Sequence, residues 1–123
     1  MILVDTSIWI DHLRATDTRL AQWLNVGRVL AHPFVTGEIA LGNLVNRDQV
    51  IGTMQDLPQA CVATEAEVLD FIKANQLHGV GIGYIDTHLL AAVFLTPGSR
   101  LWTRDKRLLS ASTRLGIAAN TLH

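Results

Sequence analysis

The sequence predicts an α/β domain in which a five-stranded parallel sheet is flanked by helices. Three observations lead there. Wholly apolar short runs such as Ile2-Leu3-Val4 and Val29-Leu30-Ala31 read as strands buried on both faces. Amphipathic stretches that begin at helix-capping residues alternate with them. The length, 123 residues, suits one domain over 1–123, with apolar content high enough for a packed core.

Taken in order, Ile2-Leu3-Val4 is the first strand and stops at Asp5-Thr6-Ser7, three residues that favour helix caps. Ile8, Ile10 and Leu13 begin a helical pattern. Thr16 or Asp17 caps a second helix with Leu20, Trp23 and Leu24 on one face. Val29 to Ala31 is the second strand, and Pro33 suits the first turn of the helix that follows. That helix is expected over Phe34 to Val45 and contains Glu38. Arg47 to Leu57 is another, ended by Pro58. Cys61-Val62-Ala63 is a weak strand, and Cys61 is expected to be buried and inert.

Thr64 then caps a helix whose Glu65 and Glu67 suit the positive end of the helix dipole. Gly79-Val80-Gly81-Ile82-Gly83 is a loop, since alternate glycines break any element. It lacks the order of a dinucleotide-binding motif and the Lys-Ser/Thr of a phosphate loop. Tyr84 to Leu95 is an apolar helix closed by Pro97-Gly98. Arg100 to Thr103 is a strand, Asp105 to Leu115 a helix with Gly116 after its end, and Ile117 to Ala119 a last strand.

Composition excludes several classes. The single cysteine, Cys61, permits neither an intrachain disulfide nor a Cys-rich zinc site. The longest apolar run, Leu89 to Leu95, is far too short to cross a membrane. The first residues carry no basic segment followed by a long apolar one, so a cytoplasmic protein is expected. Net charge is −1, but its distribution is uneven. Residues 1–99 hold five basic and ten acidic groups, whereas 100–123 hold five basic groups and one acid. That C-terminal charge suits either an anionic partner or a solvated helix face.

Four acids occupy unusual positions: Asp5 after the first strand, Glu38 in apolar company, Asp86 just beyond the glycine loop, and Asp105 after the Trp102-Thr103 strand end. Singly, Asp5 and Asp105 read equally well as helix caps, and Asp86 as an acid complementing a helix dipole. Together they converge at the C-terminal edge of a parallel sheet, where such folds bind ligands. Clustered carboxylates repel one another unless protonated or bound to a cation. Oxygen donors without Cys or paired His select Mg²⁺ or Mn²⁺, the ions of phosphate chemistry. Arg104, Lys106 and Arg107, beside Asp105, place positive charge next to these acids and are candidates for contacts to substrate phosphates. His88, two residues from Asp86, reads as a packing residue, and Trp9, Trp23 and Trp102 as core or interface aromatics.

Met1-Ile2-Leu3-Val4-Asp5-Thr6-Ser7, the internal Glu38, Gly83 to Ala92 (GYIDTHLLAA) and Leu101 to Leu108 (LWTRDKRL) resemble the four signature blocks of PIN-domain ribonucleases, in particular the VapC toxins of bacterial toxin–antitoxin systems. The blocks span the chain in order, with the acids 33, 48 and 19 residues apart. The resemblance implies a PIN-like fold with a five-stranded parallel sheet, and RNA hydrolysis dependent on Mg²⁺ or Mn²⁺ that leaves 5′-phosphate and 3′-hydroxyl ends. It implies that Asp5, Glu38, Asp86 and Asp105 ligate the metal, with Thr6, Ser7 and Thr103 in support. It also implies a cognate VapB-like antitoxin and a homodimer. The consecutive apolar residues Ile8, Trp9 and Ile10 agree, since a helix cannot bury all three against one core.

Two other readings compete. A receiver-like phosphoacceptor domain wants adjacent acids at the first strand, but Thr6-Ser7 follow Asp5 here. A binding-only module would keep the acids without turnover, and acid-to-amide variants in a nuclease assay separate it from an enzyme.

Overall fold

The protein is described by a computed structural model covering residues 1–119. The elements are β1 (Ile2–Val4), α1 (Thr6–Arg14), α2 (Thr18–Asn25), β2 (Val29–Leu30), α3 (Pro33–Ala40), α4 (Arg47–Asp56), α5 (Glu65–Ala74), α6 (Tyr84–Leu95), β3 (Arg100–Trp102) and α7 (Lys106–Arg114). The sheet is parallel with order β2-β1-β3, so the first strand of the chain is its centre. Leu3, Val4 and Leu101 are wholly buried, as expected for strands covered on both faces. They share one core with Ile8, Leu20, Met54, Leu89, Leu90, Trp102 and Leu108. Among the described residues, no helix is long and apolar enough to cross a membrane.

The expected five strands are three. At each edge the chain runs alongside for a single parallel bridge, Ala31 with Gln59 and Leu101 with Ala118. The Ala31 N–H donates to Pro58 O, and the Ala60 N–H to Ala31 O. The ladder then stops because the Cys61 N–H turns to the Thr96 hydroxyl. Cys61 to Ala63 is therefore not a strand, and Cys61 is exposed rather than buried. At the other edge Leu101 pairs through Ile117 O and the Ala119 N–H, which gives one bridge and no strand over 117–119.

The helix expected over Phe34 to Val45 ends at Ala40. The Gly42 N–H closes a tight turn on Ile39 O, and Leu41 and Val45 point into solvent. Other helices begin where capping chemistry places them. Asp17 accepts from the Arg19 and Leu20 N–H groups, and Thr64 with Glu67 forms a reciprocal capping box. Ile8 and Trp9 are buried while Ile10 is 42% exposed, so the run Ile8-Trp9-Ile10 straddles the surface of α1.

Candidate active site

Asp5 is the residue at which β1 becomes α1. Its N–H donates to Trp102 O and continues the β1–β3 ladder by one step. Its side chain caps α1, with Oδ1 accepting from the Thr6 N–H at 2.7 Å. Oδ2 accepts from the Ser7 hydroxyl at 2.9 Å and the Thr103 hydroxyl at 2.7 Å. A carboxylate only 5% exposed needs such donors, since burying an unpaired charge is costly. Thr103, itself buried, also accepts from the Asp105 N–H at 3.1 Å. One hydroxyl thus ties the ends of two neighbouring strands to the start of α7.

The other acids reach the same edge from three helices. Asp105 is the N-cap of α7, its Oδ1 accepting from the Leu108 N–H. Asp86 lies in the first turn of α6, whose N-cap is Gly83. Glu38 lies in the second turn of α3 and takes the Thr6 hydroxyl at 2.7 Å on Oε1. Thr6 therefore serves two acids, one through its backbone and one through its side chain. Glu38 is exposed, so the apolar neighbours in its sequence do not bury it. Asp105 is exposed as well, and Asp86 is intermediate.

Electrostatics shows that the four form one group. The Asp86 carboxyl is pushed up to about 6, first by burial and then by the negative charges of Asp5, Asp105 and Glu38; a hydrogen bond from the Gly83 backbone only partly offsets this. A half-buried carboxylate with three other acids close enough to raise its affinity for a proton makes the arrangement costly when all four are charged, unless something positive enters it.

No protein-family model matches the chain. Ribonuclease VapC32 of Mycobacterium tuberculosis, in each of two strains, is 48% identical over 118 residues, covering 96% of this chain and 95% of the relative. The chain belongs to the VapC family.

The donor set of this VapC chain is all oxygen, which suits a hard cation. Among the described residues, however, no three Asp, Glu, His or Cys side chains are gathered tightly enough to hold an ion between them. Several of the carboxylate oxygens are instead taken by local donors: Asp5 by three, Glu38 by Thr6, Asp105 by Leu108. Mg²⁺ asks for less, since it commonly takes one or two carboxylates and keeps several waters. The residues fit an ion held that way, with the remaining acids acting through water.

The basic residues divide. Arg104 bonds Asp11 at 2.5 Å and Asp17 at 2.6 Å. Its charge is thereby compensated, which argues against the phosphate role expected for it. Lys106 and Arg107, on α7, meet no carboxylate within salt-bridge distance among the described residues. The residues that sequence reasoning missed are Asp11 and Asp17. No local signal marks them, since the three acids of residues 1–30 in this VapC chain are matched by three arginines.

Behind α6, His88 packs edge-on against Phe34 and Tyr84, each with ring centres 4.7 Å away. His32, buried at the N-cap of α3, accepts from the Phe34 N–H through Nδ1. Burial first, and then the charge of His88, lowers the His32 pKa to about 4, so both rings are packing groups carried neutral. Beside Glu38, a groove of about 360 Å³ opens between α1 and the turn after α3, lined by Ile10, Leu13, Ile39, Leu44 and Val45 with Arg14.

Proposed function

We propose that the chain is a metal-dependent endoribonuclease, the toxin of a VapBC-type pair, with a PIN-like acid site of Asp5, Glu38, Asp86 and Asp105. The observation that carries the metal requirement is the convergence of the four carboxylates at one sheet edge, where burial and then the charges of the other three raise the Asp86 carboxyl. The VapC relationship supports the substrate, since the relatives are named as ribonucleases. When bound, Mg²⁺ or Mn²⁺ supplies an activated water and neutralises charge on the phosphate. Asp5 and Asp86 are the residues best placed to hold it, one fixed by Ser7 and Thr103 and the other at the helix start. Glu38 and Asp105, more exposed, orient water at the rim. Asp5 is rigid because its three donors leave it little freedom, and that rigidity keeps the scissile phosphate in line. Hydrolysis by water leaves 5′-phosphate and 3′-hydroxyl ends and needs no histidine pair.

The apolar groove beside Glu38 fits the hydrophobic segment of a VapB-like antitoxin, and a cationic side chain of that segment would compete with metal for the acids. A homodimer completes the reading, and light scattering on the isolated chain tests it. The deciding experiment incubates purified protein with RNA and Mg²⁺ and maps the ends. Cleavage products carrying 2′,3′-cyclic phosphate would overturn the mechanism.

A further inference from the structure

A cleft of about 220 Å³ lies between the glycine loop and α7, lined by Val80, Lys106, Arg107, Ser110 and Arg114, with no acid on its walls. Lys106, Ser110 and Arg114 are four residues apart and so share one side of the helix. The stripe starts one residue beyond Asp105 and runs about 12 Å away from it.

Both arginines are held by neutral partners. Arg107 Nη1 lies 3.4 Å from Gly81 O, and Arg114 Nη2 donates to Asn75 O at 2.8 Å. Each guanidinium has five N–H donors, so most remain for a ligand. Gly81 makes the Arg107 placement possible. Its φ of +83° suits glycine, and a Cβ there would sit 2.6 Å from Arg107 Nη1. Among the described residues neither arginine meets a carboxylate within salt-bridge distance, and both lie at the border of an acid group that repels phosphate.

We propose that this cleft is a phosphate-binding track that holds the RNA backbone beyond the scissile phosphate, with Lys106, Arg107 and Arg114 as its contacts. It rests on the ribonuclease reading for its substrate and excludes Arg104, whose charge is spent on Asp11 and Asp17. A backbone reader of this kind sets affinity and substrate position and carries no base specificity.

The test is binding of a labelled twelve-nucleotide single-stranded RNA of mixed sequence to the intact protein in chelator, by fluorescence anisotropy over a salt series. Lys106→Gln with Arg114→Gln should weaken binding about tenfold at low salt and flatten the plot of log K against log salt by about 1.4, the value for two single-strand phosphate contacts. Lys106→Arg with Arg114→Lys keeps both charges and should bind like wild type. Arg104→Gln, whose charge is paired with Asp11 and Asp17, and Arg47→Gln, at the start of α4, should leave the slope unchanged. An unchanged slope in the double Gln variant, or an equal loss in Arg47→Gln, would overturn the track. In turnover, the double Gln variant should raise KM for that RNA at least fivefold with kcat within twofold, and leave dinucleotide cleavage as it was. Charge-dependent binding by a protein that never cuts RNA would uphold the track and remove the ribonuclease reading.

Discussion

Thr103 donates its hydroxyl to Asp5 at 2.7 Å, joining residues 98 apart in sequence at the ends of two adjacent strands. The same oxygen accepts from the Asp105 N–H, so it fixes two candidate ligands at once. Thr103→Val keeps the shape and removes the hydroxyl. It should cost about 1–3 kcal/mol of stability, because a buried carboxylate loses a donor. Cleavage should fall at least tenfold, while Thr103→Ser retains most activity. Denaturant unfolding and initial rates measured together check both; wild-type rates in the Val variant would remove Thr103 from the site.

Asp5→Asn and Asp86→Asn should each lower cleavage by at least 100-fold in a protein that remains folded. Asp70→Asn, on α5 and outside the acid group, should match wild type. Rates from purified variants with matching circular dichroism decide it, and full activity in either of the first two would show the site to be elsewhere.

Chelation should abolish cleavage, and Mg²⁺ or Mn²⁺ should restore it. Ca²⁺ should bind yet support little turnover, because its looser and larger coordination suits in-line attack poorly. Rates in excess chelator equal to those in Mg²⁺ would rule out metal chemistry.

Stability without metal should carry the mark of Asp86. Its folded pKa of about 6 lies above the ordinary 3.8, so between those values the folded state binds more protons than the unfolded state. Stability from this group therefore falls as pH rises from about 4 to about 6. His32 works the other way: its folded pKa near 4 lies below 6.5, so its contribution is lost as pH falls through that window. The two are separated by subtraction. The Tm of Asp86→Asn minus that of wild type, both in chelator, should grow from pH 4 to pH 6.5 and shrink on adding Mg²⁺. A flat difference would show that Asp86 carries no such load.

Local chemistry made much of this legible in advance. The apolar run at 2–4, the cap at Thr64 and the glycine loop depend on neighbours within a few residues and stand where the sequence pattern puts them; the second strand stops one residue short, at Leu30, and of Thr16 and Asp17 it is Asp17 that caps α2. The sheet edges did not, because whether Cys61 continues a ladder is decided by the Thr96 hydroxyl, 35 residues away. The end of α3 departs from the sequence pattern because Leu44 and Val45 extend its apolar periodicity while the backbone turns at Gly42. At the site, Asp5, Asp86 and Asp105 each satisfy a local rule of helix starts, and the four acids were legible only together, through their convergence at one sheet edge. The compensation of Arg104 was invisible, since Asp11 and Asp17 lie 93 and 87 residues from it.

The centre of the sheet is β1, and one of its two neighbours begins only at Arg100. On a ribosome, Asp5 emerges early and waits for Thr103. Until residues 100–103 are released, β1 has an open flank and its terminal carboxylate lacks a donor that fixes it. Pairings this distant in sequence form late, because the intervening loop must close first. A nascent polypeptide of this kind therefore carries no assembled acid pocket until residues 100–105 have left the ribosome.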